Sequence, residues 1–290
     1  MHWRQFVMDL DALPPEAVEA LFTRHGAQAV TLSDAADDPV LEPAPGATPL
    51  WQQTRITGLF DADTDLDALC LALTEEFGLP APPAHRVEEL ADRAWEREWL
   101  KDFRPMRFGE RLWVCPHGQA APAADAVVVS LDPGLAFGTG THPTTALCLA
   151  WLDGQPLAGC RVLDFGCGSG ILGIAALKLG AATVTAVDID RQAVTASRDN
   201  ALCNGVGERL QAGLELPAGE WDVLLANILA APLVEHAQRL AASAAEGARI
   251  ALSGILAPQA DDVRAAYAGD FDLAPAQTNG DWVLLTGRKR

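Results

Sequence analysis

The stretch R-V-L-D-F-G-C-G-S-G-I-L-G-I-A-A-L-K-L-G, residues 161–180, decides the fold. Val162 to Phe165 has the length and character of a buried strand. Gly166-Cys167-Gly168-Ser169-Gly170 is a tight turn, and Ile171 to Leu179 is an apolar helix stopped by Gly180. Strand, glycine turn and helix in this order form a nucleotide-type loop. Glycine lets backbone approach a ligand where a Cβ would collide. The helix N-terminus favours negative charge, a carboxylate as well as a phosphate. The run also holds G-x-G-x-x-G as Gly168, Gly170 and Gly173, so a dinucleotide reading stays open.

The same rhythm continues downstream. Strands are expected at Thr183 to Asp188, Trp221 to Asn227 and Arg249 to Ser253. Helices are expected at Arg191 to Asn204, Pro232 to Ala242 and Gln259 to Tyr267. This alternation predicts an α/β fold with a doubly wound, Rossmann-like parallel sheet. The end breaks the pattern. Phe271 to Ala276 and Trp282 to Thr286 are strand-like and are joined by Thr278-Asn279-Gly280-Asp281, an antiparallel hairpin signal. A sheet closed by such a hairpin is unusual for nicotinamide-binding folds and usual for the methyltransferase variant.

Three polar positions sit where this fold binds ligands, at strand carboxyl ends. Asp188 follows the second strand, 18 residues after Gly170. It is placed to accept hydrogen bonds from both ribose hydroxyls of either NAD or S-adenosylmethionine; its plain alternative is a helix cap. Asp164 suits an ammonium, which S-adenosylmethionine carries and a pyrophosphate does not. Asn227 ends the fourth strand, where an amide accepts from an amine or holds cofactor, a structural cap being the alternative. The segment A-N-I-L at 226–229 lacks the Asn-Pro-Pro-aromatic run of base-modifying amine methyltransferases, so nothing there stacks on a flipped base. The one tyrosine, Tyr267, is in no Tyr-x-x-x-Lys pair for hydride chemistry. Residues 132–145, D-P-G-L-A-F-G-T-G-T-H-P-T-T, read as a glycine- and hydroxyl-rich loop entering a helix. Within it His142 is either a base or a helix start.

Residues 1–90 read as a small α+β domain of order β-α-β-β-α-β, the ferredoxin-like split unit. Its helices are expected at Glu16 to His25 and Asp65 to Phe77, and Asp37 to Pro49 reads as a loose stretch. Residues 91–125 form a linker, with an aromatic-faced helix over Ala91 to Phe103 carrying Trp95, Trp99 and Phe103. Residues 126–290 form the large domain. The 290 residues carry 49% hydrophobic and 21% charged side chains, which excludes a disordered chain or a fibre. The net charge of −18 argues against a phosphate-binding surface, so no nucleic-acid specificity is expected. Residues 1–90 hold 16 Asp/Glu against 4 Lys/Arg, a net of −12. This fits a basic ligand for the small domain, or a merely solvated face. No run is long and apolar enough to span a membrane, and Met1-His2-Trp3-Arg4-Gln5 lacks a secretory pattern. The six cysteines have no zinc spacing, so no metal is expected and a cytoplasmic, reduced setting is. Among them Cys167, inside the glycine loop, is a small space-filler or a reactive thiol.

Five runs taken together carry a resemblance: A-F-G-T-G-T-H-P-T-T at 136–145, D-F-G-C-G-S-G-I-L at 164–172, V-D-I-D at 187–190, A-N-I-L at 226–229 and L-S-G-I-L at 252–256. They resemble the bacterial ribosomal protein L-eleven (L11) methyltransferases over residues 95–290; residues 1–90 match in length and layout. The resemblance implies a cytoplasmic enzyme that uses S-adenosyl-L-methionine to methylate lysine and N-terminal amines of ribosomal protein L-eleven, free or on the ribosome. It implies a small domain that recognises the substrate. It also places cofactor contacts at Thr145, Gly166, Asp188 and Asn227, to which the loop itself adds Gly168 and Asp164.

The chemistry is consistent with that. A sulfonium methyl is electrophilic already, so a neutral amine needs alignment and a dry site more than covalent help. No strong general base stands out. Rival readings are an NAD-dependent oxidoreductase using the same loop, a methyltransferase for another protein or a small amine, and a non-catalytic ribosome-binding module.

Overall fold

The computed structural model describes residues 2–36, 50–91, 104–123, 125–131 and 141–290. The chain divides into two compact units, Met1–Glu98 and Trp99–Arg290.

In the first unit the elements run β1 (His2–Asp9), α1 (Pro15–Arg24), β2 (Ala29–Asp34), β3 (Thr54–Asp61), α2 (Leu66–Glu76) and β4 (His85–Ala91). The strands pair in the order β2-β3-β1-β4, each neighbour antiparallel. Strand β3 shows why: Thr54, Ile56, Gly58 and Phe60 alternate inward with period two. Gly58 is required there, because a Cβ would come within 2.6 Å of the Phe22 and Phe60 rings. Phe6, Met8, Leu21, Leu69 and Leu73 complete this core. Asp65 caps α2, accepting from the backbone N–H groups of Asp67 and Ala68. The expected helix over Ala91 to Phe103 lies outside the described residues except for Ala91, which closes β4.

The second unit begins with a three-stranded sheet, β5 (Met106–Phe108), β6 (Leu112–Cys115) and β7 (Val127–Ser130), followed by α3 (Pro143–Asp153). The Rossmann-like sheet follows: β8 (Arg161–Phe165), α4 (Ile171–Lys178), β9 (Thr183–Val187), α5 (Arg191–Cys203), β10 (Leu210–Gly213), β11 (Trp221–Asn227), α6 (Ala230–Glu235), α7 (Ala237–Ala242), β12 (Ala244–Leu256), α8 (Ala260–Tyr267), β13 (Phe271–Leu273), β14 (Gln277–Asn279) and β15 (Trp282–Lys289). Strand order is β10-β9-β8-β11-β12-β15-β13, with β14 also paired to β15. The first five strands are parallel, while β15 runs antiparallel between β12 and β13.

Four local readings change. The expected helix at 232–242 is two helices, because His236 leaves helical geometry between them and its ring packs edge-on to Phe165 at 5.3 Å. The short strands β5 and β10 were not expected; Leu210 and Ala212 are the only buried residues of β10, too few to set a period. Strand β12 is longer than the expected 249–253, and its pairing shifts between Leu252 and Ile255. The closing hairpin turns on Gly280-Asp281 with Asn279 paired to Trp282, so glycine stands first in the turn, at φ +59°.

Candidate cofactor and active site

Strand register brings the site together. Phe165 of β8 pairs with Val187 of β9, Val187 with Gly213 of β10, and Phe165 with Ala226 of β11. One residue further on, Gly166, Asp188, Leu214 and Asn227 therefore emerge side by side at the carboxyl edge of the sheet, where open α/β sheets bind ligands.

The glycine loop is fixed from several directions. Gly166 and Cys167 both donate to the Val187 carbonyl, at 2.7 and 3.1 Å. Gly166 sits at φ +75°, and a Cβ there would overlap Cγ2 of Ile228. Gly168 donates its N–H to Asp188 Oδ2 at 2.9 Å, and Asp190 donates to Asp188 Oδ1 at 3.0 Å. Asp188 is thus held by one N–H on each oxygen, and each oxygen keeps lone-pair capacity for a further donor. Ile189, beside it, is 97% exposed, and Leu214 is exposed at the end of β10. Large apolar side chains on an open strand edge next to a carboxylate suit a nucleoside, an apolar ring with a polar sugar. The sequence reading passed over both; the signal for Ile189 was an apolar residue between two acids in a turn.

Asp164 has a different partner from the ammonium expected for it. It is 1% exposed and accepts from the Gly173 N–H at 2.9 Å. Gly170, the N-cap of α4, has no side chain, so Asp164 serves the third helical N–H in its place. Burial pushes its carboxyl up to about 7, with Asp188 adding to the rise and Gly173 opposing it. This has a consequence for stability. The folded value lies above the ordinary 3.8, so the folded state holds an extra proton between those two values. Stability from this group is complete below about pH 4 and declines as pH rises towards 7. Asp164→Asn keeps an oxygen for Gly173 and has no proton to lose. Its stability relative to the parent should therefore improve between about pH 5 and about pH 8. Denaturation midpoints that keep the same gap at both values would contradict the buried acid.

Cys167 is a buried thiol whose value burial raises to about 12, so it fills space and is not a thiolate nucleophile.

At the other side of the site, Asn227 Nδ2 donates to Thr145 Oγ1 at 3.3 Å. Thr145 is buried in the first turn of α3. The helix start is made by His142, whose Nδ1 caps the Thr144 N–H and lies 2.7 Å from Thr144 Oγ1. The His142 ring also packs edge-on to Trp282 at 4.8 Å. Of the two roles weighed for His142, helix capping is the one this geometry displays. The rest of the expected loop, 132–140, lies outside the described residues. Ser253, level with Asn227 on β12, has its Oγ 3.2 Å from the Val283 carbonyl and 3.4 Å from that of Thr144, two acceptors for its single proton, and accepts through its own carbonyl from the Ile228 N–H.

Gly254 follows at φ +83°, and a Cβ there would overlap the main chain of Ile228, carbonyl oxygen first. Backbone cannot rotate aside as a side chain can. Gly254→Ala should cost roughly 2–4 kcal/mol of stability, from a strained positive φ together with overpacking. It should also displace Asn227 and slow turnover. A melting temperature within a degree of the parent would contradict this.

Among the described residues no group of three or more His, Cys, Asp or Glu is placed to hold a metal ion, and no helix is long and apolar enough to cross a membrane.

Comparison with known proteins gives the family. The model of the ribosomal protein L11 methyltransferase (PrmA) family matches residues 2–290. The chain is 53% identical over its whole length to the ribosomal protein L11 methyltransferase of Ectopseudomonas mendocina (strain ymp), covering 100% of that protein. It is 52% identical to the one from Aeromonas hydrophila, covering 100% of this chain and 99% of that protein. A crystal structure of ribosomal protein L11 methylase from Lactobacillus delbrueckii subsp. bulgaricus aligns with a TM-score of 0.60 at 32% identity, covering 65% of this chain and 100% of that one. The oxidoreductase reading of the glycine loop gives way to these matches and to the antiparallel β15, which is unusual in a nicotinamide-binding sheet. The chain belongs to the ribosomal protein L11 methyltransferase family.

Proposed function

We propose that this chain transfers methyl groups from S-adenosyl-L-methionine to lysine side chains and the N-terminal amine of ribosomal protein L11, in the cytoplasm. The observation that carries the reading is the row formed by the glycine loop, Asp188 and the Asn227–Thr145 pair along one sheet edge. The residues fit the cofactor: a half-exposed carboxylate for the ribose, apolar Ile189 and Leu214 for the adenine, and a glycine loop for the methionine end. When bound, S-adenosylmethionine supplies an electrophilic methyl on a sulfonium.

The chain's own residues do the rest. Asp188 binds and orients through charge-assisted hydrogen bonds. Asn227 commits Nδ2 to Thr145, which leaves Oδ1 to accept from the N–H of a neutral amine and aim its lone pair. Alignment of this kind replaces a bimolecular encounter and is the larger part of the acceleration. Among the described residues of the site none has the geometry of a strong base, so the proton leaves to solvent before attack. The −12 charge within residues 1–90 would draw in a basic ligand and supports the first unit as the region that recognises L11, whether free or on the ribosome.

The test is to incubate purified chain and purified L11 with and without S-adenosylmethionine and to map the products by peptide mass spectrometry. Methyl groups on lysines and the N-terminal amine, only with cofactor, are expected. Unmodified L11 from an enzyme that binds the cofactor would refute the choice of substrate.

A further inference from the structure

Helix α5 and its C-cap present three polar side chains, Ser197, Asn200 and the capping Asn204, spaced three and four residues apart and so on one face. Ser197 Oγ donates to the Gly168 carbonyl at 2.9 Å and lies 3.2 Å from Cys167 Sγ. Asn200 Nδ2 donates to the Ser169 carbonyl at 2.8 Å. Asn204, buried at the end of the helix, accepts from the Ser130 N–H at 2.8 Å and donates to the Ser130 carbonyl at 2.7 Å and to the Asn200 carbonyl at 2.8 Å. The helix approaches the loop so closely that a Cβ on Gly170 would stand 2.9 Å from Ser197 Oγ.

These bonds act on Gly168 from both sides. Its carbonyl is taken by Ser197, and its N–H is given to Asp188. Gly168 stands at φ +52°, and those partners, with the Gly170 N–H on the Cys167 carbonyl at 2.8 Å, set the orientations of the two peptide groups around it. The carboxylate assigned to the ribose is therefore aimed by a loop that α5 aims in turn. Through Asn204 the same face also grips the end of β7, which joins the small sheet of the second unit to the cofactor loop.

We infer that Ser197, Asn200 and Asn204 are positioning residues for cofactor capture, a polar stripe that pre-shapes the glycine loop and through it the Asp188 carboxylate. The inference rests on the proposed reading of this site as the S-adenosylmethionine site. The stripe does not touch the amine-facing Asn227, so its loss should weaken cofactor binding and leave the protein substrate's KM unchanged.

The experiment uses the full chain and two variants. Asn200→Asp keeps the shape and removes the donor to Ser169; Asn200 is only half-buried, so a folded product is expected. Ser197→Ala removes one hydroxyl. S-adenosylhomocysteine affinity is measured by calorimetry at a temperature where thermal melting shows each variant folded, alongside steady-state KM values for S-adenosylmethionine and for L11. Each variant should bind about tenfold more weakly, the worth of one hydrogen bond. The KM for S-adenosylmethionine should rise and that for L11 should not. A lower melting temperature with affinity within twofold of the parent would overturn the inference and leave the stripe a purely structural support. A rise in both KM values together would overturn it as well. If the parent itself does not bind S-adenosylhomocysteine, the cofactor reading fails first and the inference with it.

Discussion

Asp188→Ala is expected to weaken S-adenosylhomocysteine binding by about two to four powers of ten. Two charge-assisted hydrogen bonds to a ribose are worth roughly 1.5–3 kcal/mol each, and 1.4 kcal/mol is tenfold. The substitution also frees the Gly168 N–H, which now bonds Oδ2 at 2.9 Å, and the Asp190 N–H, which bonds Oδ1. Loss of affinity thus has a direct part and a part through the loop. Asp188→Asn separates them, since the amide keeps one acceptor oxygen for a single partner and turns the other into a donor. It should fall between the parent and alanine. Calorimetry on the folded proteins decides; an alanine variant with parental affinity would remove Asp188 from the site.

The second large effect is on pH dependence. A lysine with a pKa of about 10.4 is neutral in only about one molecule in a thousand near pH 7.4. With no base to help, the single-turnover rate on lysine at subsaturating L11 should rise approaching tenfold per pH unit, from about pH 6 to about pH 9. The N-terminal amine, with a pKa near 7.7–8.0, should level off first. Two groups would spoil this, His142 and the carboxylate of Asp132, which lies outside the described residues. In the structure the Nδ1 of His142 is spent on the start of α3, so His142→Ala should cost about 1 kcal/mol of helix capping and leave the slope alone. A bell-shaped profile whose acid limb disappears in His142→Ala would instead establish a histidine base.

What the sequence could and could not disclose follows from the range of the forces involved. The β8–α4 unit was legible because a fully buried parallel strand, a glycine turn and an apolar helix each leave a local pattern. The placement of Asp188 and Asn227 at strand ends was legible for the same reason, because strand ends are local. The companions of these residues were not. Asp164 looked like a ligand group, and only tertiary structure revealed that it stands in for the side chain Gly170 lacks. Ser197, Asn200 and Asn204 looked like the solvated face of an amphipathic helix, because a polar residue reads the same whether it meets water or a backbone carbonyl 29 residues or more away. Strand β10 gave two buried residues and no period. The segment from Pro232 to Ala242 reads as one continuous helix because nothing local marks His236 as a break; its ring packs on Phe165, a contact across 71 positions.

The account makes one claim above the others, that the row of residues along this sheet edge methylates L11. The most direct measurement is the intact mass of L11 from cells lacking this gene, then from the same cells given back either the parent chain or the Asp188→Ala chain. The account predicts L11 without methyl groups in the deletion, full restoration by the parent, and little or none by Asp188→Ala expressed at equal level. Fully methylated L11 in the deletion strain, or restoration by Asp188→Ala equal to the parent, would contradict it.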